Sequence, residues 1–472
     1  MRAVGAGGLD RVVKAYDVRG LVPDDLGPRE VAVLAAAFVR QLAAEGSGPV
    51  RALVVGRDMR TSSPELAAAV VDAVAAEGVD VVDVGLASTD ELYFASGSLD
   101  LPGVMVTASH NPAAYNGLKL CRAGARPVGR DSGLREVQRL AEEMPDRTPA
   151  AGGRGTVERR DVLAEYADHL HRLAPVHGRR LRVAVDAGNA MAGHTVPAVL
   201  GPLDLEVLPL YFELDGTFPH HPPNPLDATT LVELQTAVRT HHADVGLAFD
   251  GDADRCFVVD ERGELVSPSA VTALIAVRAL ADEPGARVVH NLICSRAVPE
   301  VVREHAGEPV RTPVGHSVIK AEMARVGAVV GGEHSGHFYF RDFWYADSGM
   351  LAALHVLAAL AGADVPLSRL LAPYDRYAGS GERNHRVTDP AVVIDAVRAR
   401  WAPRDGVTLD GIDGLTVSHP RWWFNLRGSN TEPLLRLNVE GVDTATMAAV
   451  RAEVESVVGA YAPPHDSGEG NP

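Results

Sequence analysis

At 472 residues the chain is too long for one hydrophobic core, and roughly one domain per 100 to 200 residues predicts three or four domains. Hydrophobic residues at 46% and charged residues at 23% exclude a disordered or fibrous chain. A formal net charge of −17 excludes a broad nucleic-acid surface, which needs clustered Lys and Arg to displace counterions from phosphates.

In chain order, Val31, Leu34, Phe38 and Leu42 fall three or four apart and predict a helix over 28–45. A strand follows at 51–55. Ser63 then Pro64 reads as an N-cap with proline at the first helical position, opening a helix to Ala76 that stops at Gly78. Residues 79–84 form the next strand, and the alternation predicts a mostly parallel sheet with helices on both faces. Gly152-Gly153-Arg154-Gly155 reads as a linker. The pattern then restarts twice, without close sequence identity between the units. One restart has strands at 181–185 and 205–210, a helix at 230–241 and a strand at 245–249. The other has a strand at 287–293, a helix near 298–305 and a strand ending at Val330-Gly331-Gly332. Beyond about residue 373, a helix at 391–401, extended segments across 407–438 and a closing helix at 444–461 suggest a smaller α+β domain. The Pro- and Gly-rich residues 463–472 are expected to be a disordered tail. The expected domains are thus 1–153, 154–260, 261–372 and 373–462.

No apolar run free of charge reaches the ~20 residues that span a bilayer, and the start of the chain lacks a basic region followed by an apolar one. A cytoplasmic protein with no nucleic-acid and no membrane partner is expected. Cys121, Cys256 and Cys294 are odd in number and far apart, without CxxC spacing, so reduced structural thiols are expected rather than a disulfide framework or a zinc site.

Two segments carry the chemistry. Thr107-Ala108-Ser109-His110-Asn111-Pro112 ends the apolar run Val104-Met105-Val106, which puts Ser109 at a strand's carboxyl end, where open α/β sheets place ligands. A serine is a weak nucleophile alone, but as a stored phosphoester it can give its phosphoryl group to a hydroxyl and take one back. Read in isolation the segment is also an ordinary Asx or proline turn. Asp250, Asp252 and Asp254 alternate just after the strand at 245–249, with Gly251 letting the backbone bend. Carboxylates so placed can converge on Mg²⁺, a hard cation that also accepts a phosphate oxygen. The competing reading is a solvated acidic turn. An EF-hand is excluded although Glu261 stands at the twelfth position, because Gly251 and Ala253 break the loop spacing and flanking helices are missing.

Arg427-Gly428-Ser429-Asn430-Thr431-Glu432-Pro433 gathers a guanidinium, two hydroxyls, an amide and backbone N–H groups in one turn. Such a nest grips a terminal phosphate, and on a separate small domain it would act as a closing clamp; the alternative is a surface turn. In Gly332-Glu333-His334-Ser335-Gly336-His337, Glu333 and Ser335 can both bond vicinal sugar hydroxyls, against a metal site built on His334 and His337. His316, in Thr312-Pro313-Val314-Gly315-His316-Ser317, can assist proton transfer, bind substrate or be structural. Residues 14–20 and 55–60 are polar, basic stretches at element ends; Arg57, Asp58 and Arg60 read as structural ion pairing, while Arg19 and Lys119 are expected near Ser109 as charge stabilisers.

With these four motifs in this order over nearly the whole chain, the sequence resembles the α-D-phosphohexomutase superfamily, nearest its phosphomannomutase/phosphoglucomutase branch. The resemblance implies three related α/β domains with mixed, mostly parallel sheets plus a smaller C-terminal α+β domain around a central cleft. It implies Ser109 as a phosphoserine, and Asp250, Asp252 and Asp254 as Mg²⁺ ligands with Ser109 completing the site. Glu333 and Ser335 would bind the sugar's O3 and O4, and Arg427, Ser429, Asn430 and Thr431 the non-reacting phosphate, with Tyr16 among the substrate contacts. Arg19, His110, Lys119, Arg255, His316 and His337 would supply charge and proton-transfer help. The implied reaction interconverts hexose 1-phosphate and hexose 6-phosphate through hexose 1,6-bisphosphate, which would also serve as activator. Arg-Gly-Ser-Asn-Thr-Glu-Pro resembles the mannose/glucose branch, where the glucosamine branch shows Arg-Pro-Ser-Gly-Thr, so activity on both mannose and glucose phosphates is expected. Phosphoglucosamine mutase is the alternative within the superfamily. A non-catalytic sugar-phosphate-binding protein and a metal-dependent phosphatase are the alternatives outside it. Where some dual-specificity relatives carry a lysine, this chain has Ile293, with Arg296 as a candidate replacement.

Overall fold

The computed structural model describes residues 8–46, 50–144, 153–428 and 434–462. The expected tail at 463–472 lies outside them. Among the described residues no helix is long and apolar enough to cross a membrane.

Four sheets follow one another along the chain. In the first, Gly103–Val106, Ala52–Arg57 and Asp80–Leu86 run parallel side by side, and Tyr115–Arg122 then joins antiparallel to Gly103–Val106. The second repeats this scheme: Leu181–Asp186 lies parallel between Val245–Phe249 and Leu205–Leu210, and Cys256–Asp260 turns back antiparallel on Val245–Phe249. The third does so again, with Arg287–Asn291 parallel to both neighbours and Phe338–Phe340 antiparallel to Val330–Gly332. The fourth is antiparallel throughout, around Leu415–His419, Trp422–Gly428 and Leu434–Gly441. The fold class read from the sequence is therefore the one observed. The returning antiparallel strands went unread, because strands buried on both faces show no alternation to detect.

Four expectations need correction. Of the expected linker at 152–155, Gly152 lies outside the described residues, and the rest is held against the first unit: Gly155 N–H donates to the Ala75 carbonyl at 2.8 Å, and a Cβ there would lie 2.0 Å from the Val79 carbonyl oxygen. Beyond it, Val157–Arg159 pairs parallel with Asp80–Leu86, so a strand expected in the second domain completes the first sheet; likewise Leu265–Val266, expected in the third, pairs with Cys256–Asp260 of the second. Ser63 is already helical and Ser62 is the N-cap, because the Ser63 hydroxyl is engaged by Asp58 at 2.5 Å. The helix expected from Thr230 begins as a single 3₁₀ turn at Ala228–Leu231 and becomes α-helical at Val232–His241.

The first three units share one core. Leu92, Tyr93 and Phe94 pack in the same apolar cluster as Tyr166 and Val185 from the second unit and Val271, Phe338 and Leu354 from the third. The fourth has its own, around Val393, Trp401, Phe424, Leu437 and Val454. In each of the first three sheets the chemistry-bearing motif occupies the same place, the loop between the last parallel strand and the antiparallel strand that returns beside it. The three loops therefore meet at one end of three similarly built sheets, as ligand sites do at strand carboxyl ends.

Candidate active site

Ser109 adopts a left-handed φ of 51°, a conformation that costs energy for any residue with a Cβ. What holds it there is Arg60. This buried guanidinium pairs with Asp58 at 3.1 Å and donates to the carbonyl oxygens of Ser109 and Asn111 at 2.7 Å, Pro112 at 2.8 Å and Tyr115 at 3.0 Å. The expected structural pairing of Asp58 with Arg60 is thus also a cradle for the serine loop. Among the described residues Arg57 takes no part in it and donates to the Asp58 carbonyl, at 3.3 Å.

Gly251 permits the next loop to approach, since a Cβ there would lie 2.2 Å from the Ser109 carbonyl oxygen. The buried Ser109 hydroxyl donates to Asp250 Oδ2 at 2.7 Å, with Arg255 Nη2 and His110 Nδ1 each 3.3 Å away. Arg255 also grips Asp250 Oδ2 through Nε at 2.8 Å and Nη2 at 2.7 Å. Burial, followed by the Arg255 and Arg19 charges, holds the His110 pKa well below its ordinary value, so its imidazole is neutral. Arg19 is fixed beside it, with Nε on Asp17 at 2.8 Å and Nη1 on Asn111 Oδ1 at 2.5 Å.

Asp250, Asp252 and Asp254 are all buried, and one carboxylate oxygen from each lies within 4.8 Å of the others. Lys119 Nζ bridges Oδ2 of Asp252 and Asp254 at 2.6 and 2.5 Å, and the Thr89 hydroxyl donates to the same Asp252 oxygen at 2.5 Å. Oδ1 of both aspartates is buried without a hydrogen-bond partner. Orphaned carboxylate oxygens are expensive, and two of them beside a third carboxylate that touches Ser109 fit a hard divalent cation. Burial opposes the charge on Asp252, but Lys119 and the Thr89 hydrogen bond keep its pKa below the usual carboxylate range. Burial and the Asp252 charge push Asp254 up to about 7, a crowding that a bound cation would relieve.

In the third loop Glu333 accepts from the Tyr339 hydroxyl at 2.5 Å and from Asn291 Nδ2 and the Ser335 hydroxyl at 3.2 Å, so Glu333 and Ser335 face one point as a pair. His337 Nδ1 lies 2.8 Å from Asp347 Oδ2 and 3.8 Å from Asp254 Oδ1, and Lys320 Nζ anchors Asp347 at 2.5 Å. Burial disfavours an imidazolium at His337, but Asp254 and Asp347 outweigh it and raise its pKa. His316 stacks 6.3 Å from His337 and edge-on 5.3 Å from Tyr16, and burial, then Lys320, hold it well below the ordinary value. The pKa values of two adjacent histidines are thus shifted in opposite directions. Burial pushes His334 down to about 4; it contacts Asn291 Nδ2 at 3.1 Å and shares no ligand cluster with His337 among the described residues.

Tyr16 spans from the first unit to the third, donating to the Val314 carbonyl at 3.0 Å. From the fourth sheet, Arg427 projects at the end of Trp422–Gly428 and donates to Glu382 Oε2 at 2.8 Å. Ser429, Asn430 and Thr431 lie outside the described residues. Ile293 is buried, and the Arg296 guanidinium donates to the Pro420 and His419 carbonyls at 2.8 and 3.0 Å, tying the third unit to the fourth.

Comparison with known proteins places this geometry. Residues 10–146, 164–263 and 267–377 match phosphoglucomutase/phosphomannomutase alpha/beta/alpha domains I, II and III, and residues 382–457 match the C-terminal domain of the same family. The chain belongs to the phosphoglucomutase/phosphomannomutase family. A phosphomannomutase from Escherichia coli is 39% identical over 455 residues, 93% of this chain and 97% of that one. A phosphomannomutase/phosphoglucomutase from Pseudomonas syringae is 34% identical, covering 96% of this chain and 94% of its own. A crystal structure of a phosphoglucomutase/phosphomannomutase family protein from Burkholderia thailandensis superposes with a TM-score of 0.86 at 33% identity, covering 95% and 97% of the two chains.

Within this phosphoglucomutase/phosphomannomutase chain, sequence reasoning missed Thr89, Asn291, Lys320, Tyr339, Asp347 and Glu382. Asp347 and Lys320 are buried charges that need a partner, but their sequence surroundings, polar and apolar mixed, do not mark them as buried.

Proposed function

We propose that this protein is a phosphomannomutase, acting on both mannose and glucose phosphates, that interconverts the 1- and 6-phosphates through a hexose 1,6-bisphosphate. The observation that carries this reading is the strained, buried Ser109 hydroxyl, 2.7 Å from Asp250 Oδ2, beside two aspartates with orphaned oxygens. Asp250, Asp252 and Asp254 are the residues that would hold Mg²⁺, with a phosphoserine oxygen at Ser109 as a further ligand. A bound Mg²⁺ supplies positive charge to the oxygens of the transferring phosphoryl group.

In this reading Ser109 Oγ carries the phosphoryl group between turnovers. A substrate hydroxyl oxygen attacks phosphorus, the bond from phosphorus to Ser109 Oγ breaks, and Arg255 and Lys119 offset the charge that spreads over the phosphoryl oxygens. Asp347 keeps the His337 ring oriented to exchange the hydroxyl's proton, while neutral His316 and Tyr16 border the sugar. Arg19 and His110 border the Ser109 phosphate. Glu333 and Ser335 read O3 and O4, which the two sugars share, so both epimers at C2 fit. Arg427 grips the phosphate that is not reacting.

The test is ³¹P NMR of the protein with Mg²⁺, a trace of hexose 1,6-bisphosphate and, separately, mannose 1-phosphate, glucose 1-phosphate and glucosamine 1-phosphate. A growing 6-phosphate resonance with mannose and glucose, lost in Ser109→Ala, is the expected result. Release of inorganic phosphate would point to a phosphatase instead, and a full rate in Ser109→Ala would end the phosphoserine mechanism.

A further inference from the structure

In the second unit, residues 211–223 form no helix or strand, yet their polar groups find fixed partners. Asp215 Oδ1 accepts from the Thr217 N–H at 2.9 Å and from its hydroxyl at 2.7 Å, which closes an Asx turn. Asn189 donates through Nδ2 to the Glu213 carbonyl at 2.9 Å and through its N–H to the Tyr211 carbonyl at 2.8 Å. His220 stacks on Tyr211 with ring centres 3.8 Å apart, and His221 Nε2 lies 3.1 Å from Asp186 Oδ2. Tyr211 and Phe218 both take a left-handed φ, 57° and 52°, a strain that persists only where the surroundings over-determine it. The strap so fixed touches both the Ser109 loop's support and the acidic loop. Gly216 lies against the Arg60 backbone, where a Cβ would come 2.6 Å from the Arg60 Cα. Two residues on, the buried Phe218 ring covers the Arg60 guanidinium, with its centre 5.1 Å from the guanidinium carbon. All five N–H groups of that guanidinium are committed, to Asp58 and to the carbonyls of Ser109, Asn111, Pro112 and Tyr115, so only its faces remain to be packed. An aromatic ring attracts the cation there without competing for its donors. At the strap's far end, Pro223 Cγ lies 3.4 Å from where a Cβ on Gly251 would stand.

We propose that Phe218 is a positioning residue for Ser109: the strap at 211–223 presses its ring onto Arg60, Arg60 holds the strained Ser109 turn, and the second unit thereby fixes the serine against the acidic loop that it also carries. This rests on the mutase reading and deepens it, since in-line transfer requires Ser109 Oγ at a set distance from the carboxylates. One braced segment that meets Arg60 at one end and Gly251 at the other sets that distance across the boundary between two units. Without the ring, the guanidinium keeps its donors but gains freedom to tilt, and the four carbonyls that it holds move with it.

Phe218→Leu tests this, because it keeps apolar bulk and removes the aromatic face. Among the described residues Phe218 belongs to none of the apolar clusters that form the cores, so the variant is expected to fold, with Tm lowered by less than about 4 °C. Amide hydrogen exchange across residues 107–117 should speed up about tenfold, and kcat should fall about tenfold while KM for mannose 1-phosphate stays within about twofold. Phe218→Tyr, which keeps the ring, should recover most of both. Gly216→Ala, which lifts the strap off the Arg60 backbone, should move exchange and kcat in the same direction as Phe218→Leu. Equal losses in Phe218→Leu and Phe218→Tyr would make the ring ordinary packing, and unchanged exchange at 107–117 in both Phe218→Leu and Gly216→Ala would overturn the proposal. Should the unaltered protein interconvert no phosphosugar, the mutase reading fails, and the exchange rates still decide whether Phe218 holds the Ser109 turn.

Discussion

Around Ser109 the working side chains are buried and their hydrogen bonds cross between units: Ser109 to Asp250, Lys119 to Asp252 and Asp254, and Thr89 to Asp252. Around Arg427 the partners are a quarter to a third exposed, and the sheet that carries them packs on a core of its own. The difference matches two tasks. Transfer between oxygens in line tolerates little misplacement, so the chemistry sits where three units share one core. A clamp that accepts either phosphate, as proposed for the fourth unit, has to let go, which favours a body attached by partly hydrated contacts. Among the described residues, Arg296, Arg311 and Val314 supply several of the contacts that attach it, through the His419 and Pro420 carbonyls and Glu440, Thr416 and Asp410, and Asp413 respectively.

If the first region works by fixed distances, the largest effect should come from wedging its two loops apart. Gly251→Ala places a methyl group 2.2 Å from the Ser109 carbonyl oxygen, and both neighbours are backbone, which yields little. We expect kcat to fall by about 100-fold or more, the scale attached to an ångström of misplacement, with KM little changed because the clamp is untouched. A KM effect of the same size would mean that the two regions are not separable.

The loop motifs themselves were legible because each packs its chemistry into about six consecutive residues, and the strand before it ends on an apolar run. What surrounds them was not. Thr89 meets Asp252 across 163 positions, Tyr16 meets Val314 across 298 and Glu382 meets Arg427 across 45, distances over which hydrophobic period carries no information. Arg60 was readable as an ion-pair partner of Asp58, two positions away, but not as the support of four carbonyls some fifty residues on. The unit boundaries failed for a related reason: Val157–Arg159 is three exposed residues long, and only pairing shows which sheet owns it.

A smaller effect tests how the acidic loop is kept ready. Thr89 donates to Asp252 Oδ2 through its hydroxyl and to the Asp252 carbonyl through its N–H, leaving Oδ1 free to point at a cation. Thr89→Val keeps the backbone bond and the shape but removes the hydroxyl. The Mg²⁺ concentration that gives half-maximal activity should rise about tenfold, the lower range for a partner behind a metal ligand, and saturating Mg²⁺ should restore most of kcat. A loss that Mg²⁺ does not repair would mean that Thr89 acts on the substrate rather than on Asp252.

The smallest effect tests how a buried carboxylate fastens the first three units together. Asp90 is buried at the meeting point of the first three units, where it accepts from the Tyr166 hydroxyl at 2.7 Å and the Ser348 hydroxyl at 2.6 Å, as well as from Ser88. Burial pushes its pKa up from 3.8 to about 6 despite those bonds. A carboxyl whose pKa is raised by folding binds its proton more tightly in the native state, so its contribution to stability is present below pH 3.8 and is lost as pH climbs through about 6. At about 1.4 kcal/mol per pH unit the loss amounts to about 3 kcal/mol. Asp90→Asn cannot ionise and should not show it. The difference in Tm between the variant and the unaltered protein should therefore move in the variant's favour from pH 4.5 to pH 7.5. A difference that stays constant would mean that the three hydroxyls solvate the carboxylate well enough to cancel its burial. Burial alone would then not set Asp90 apart from the half-buried carboxylates of the fourth unit.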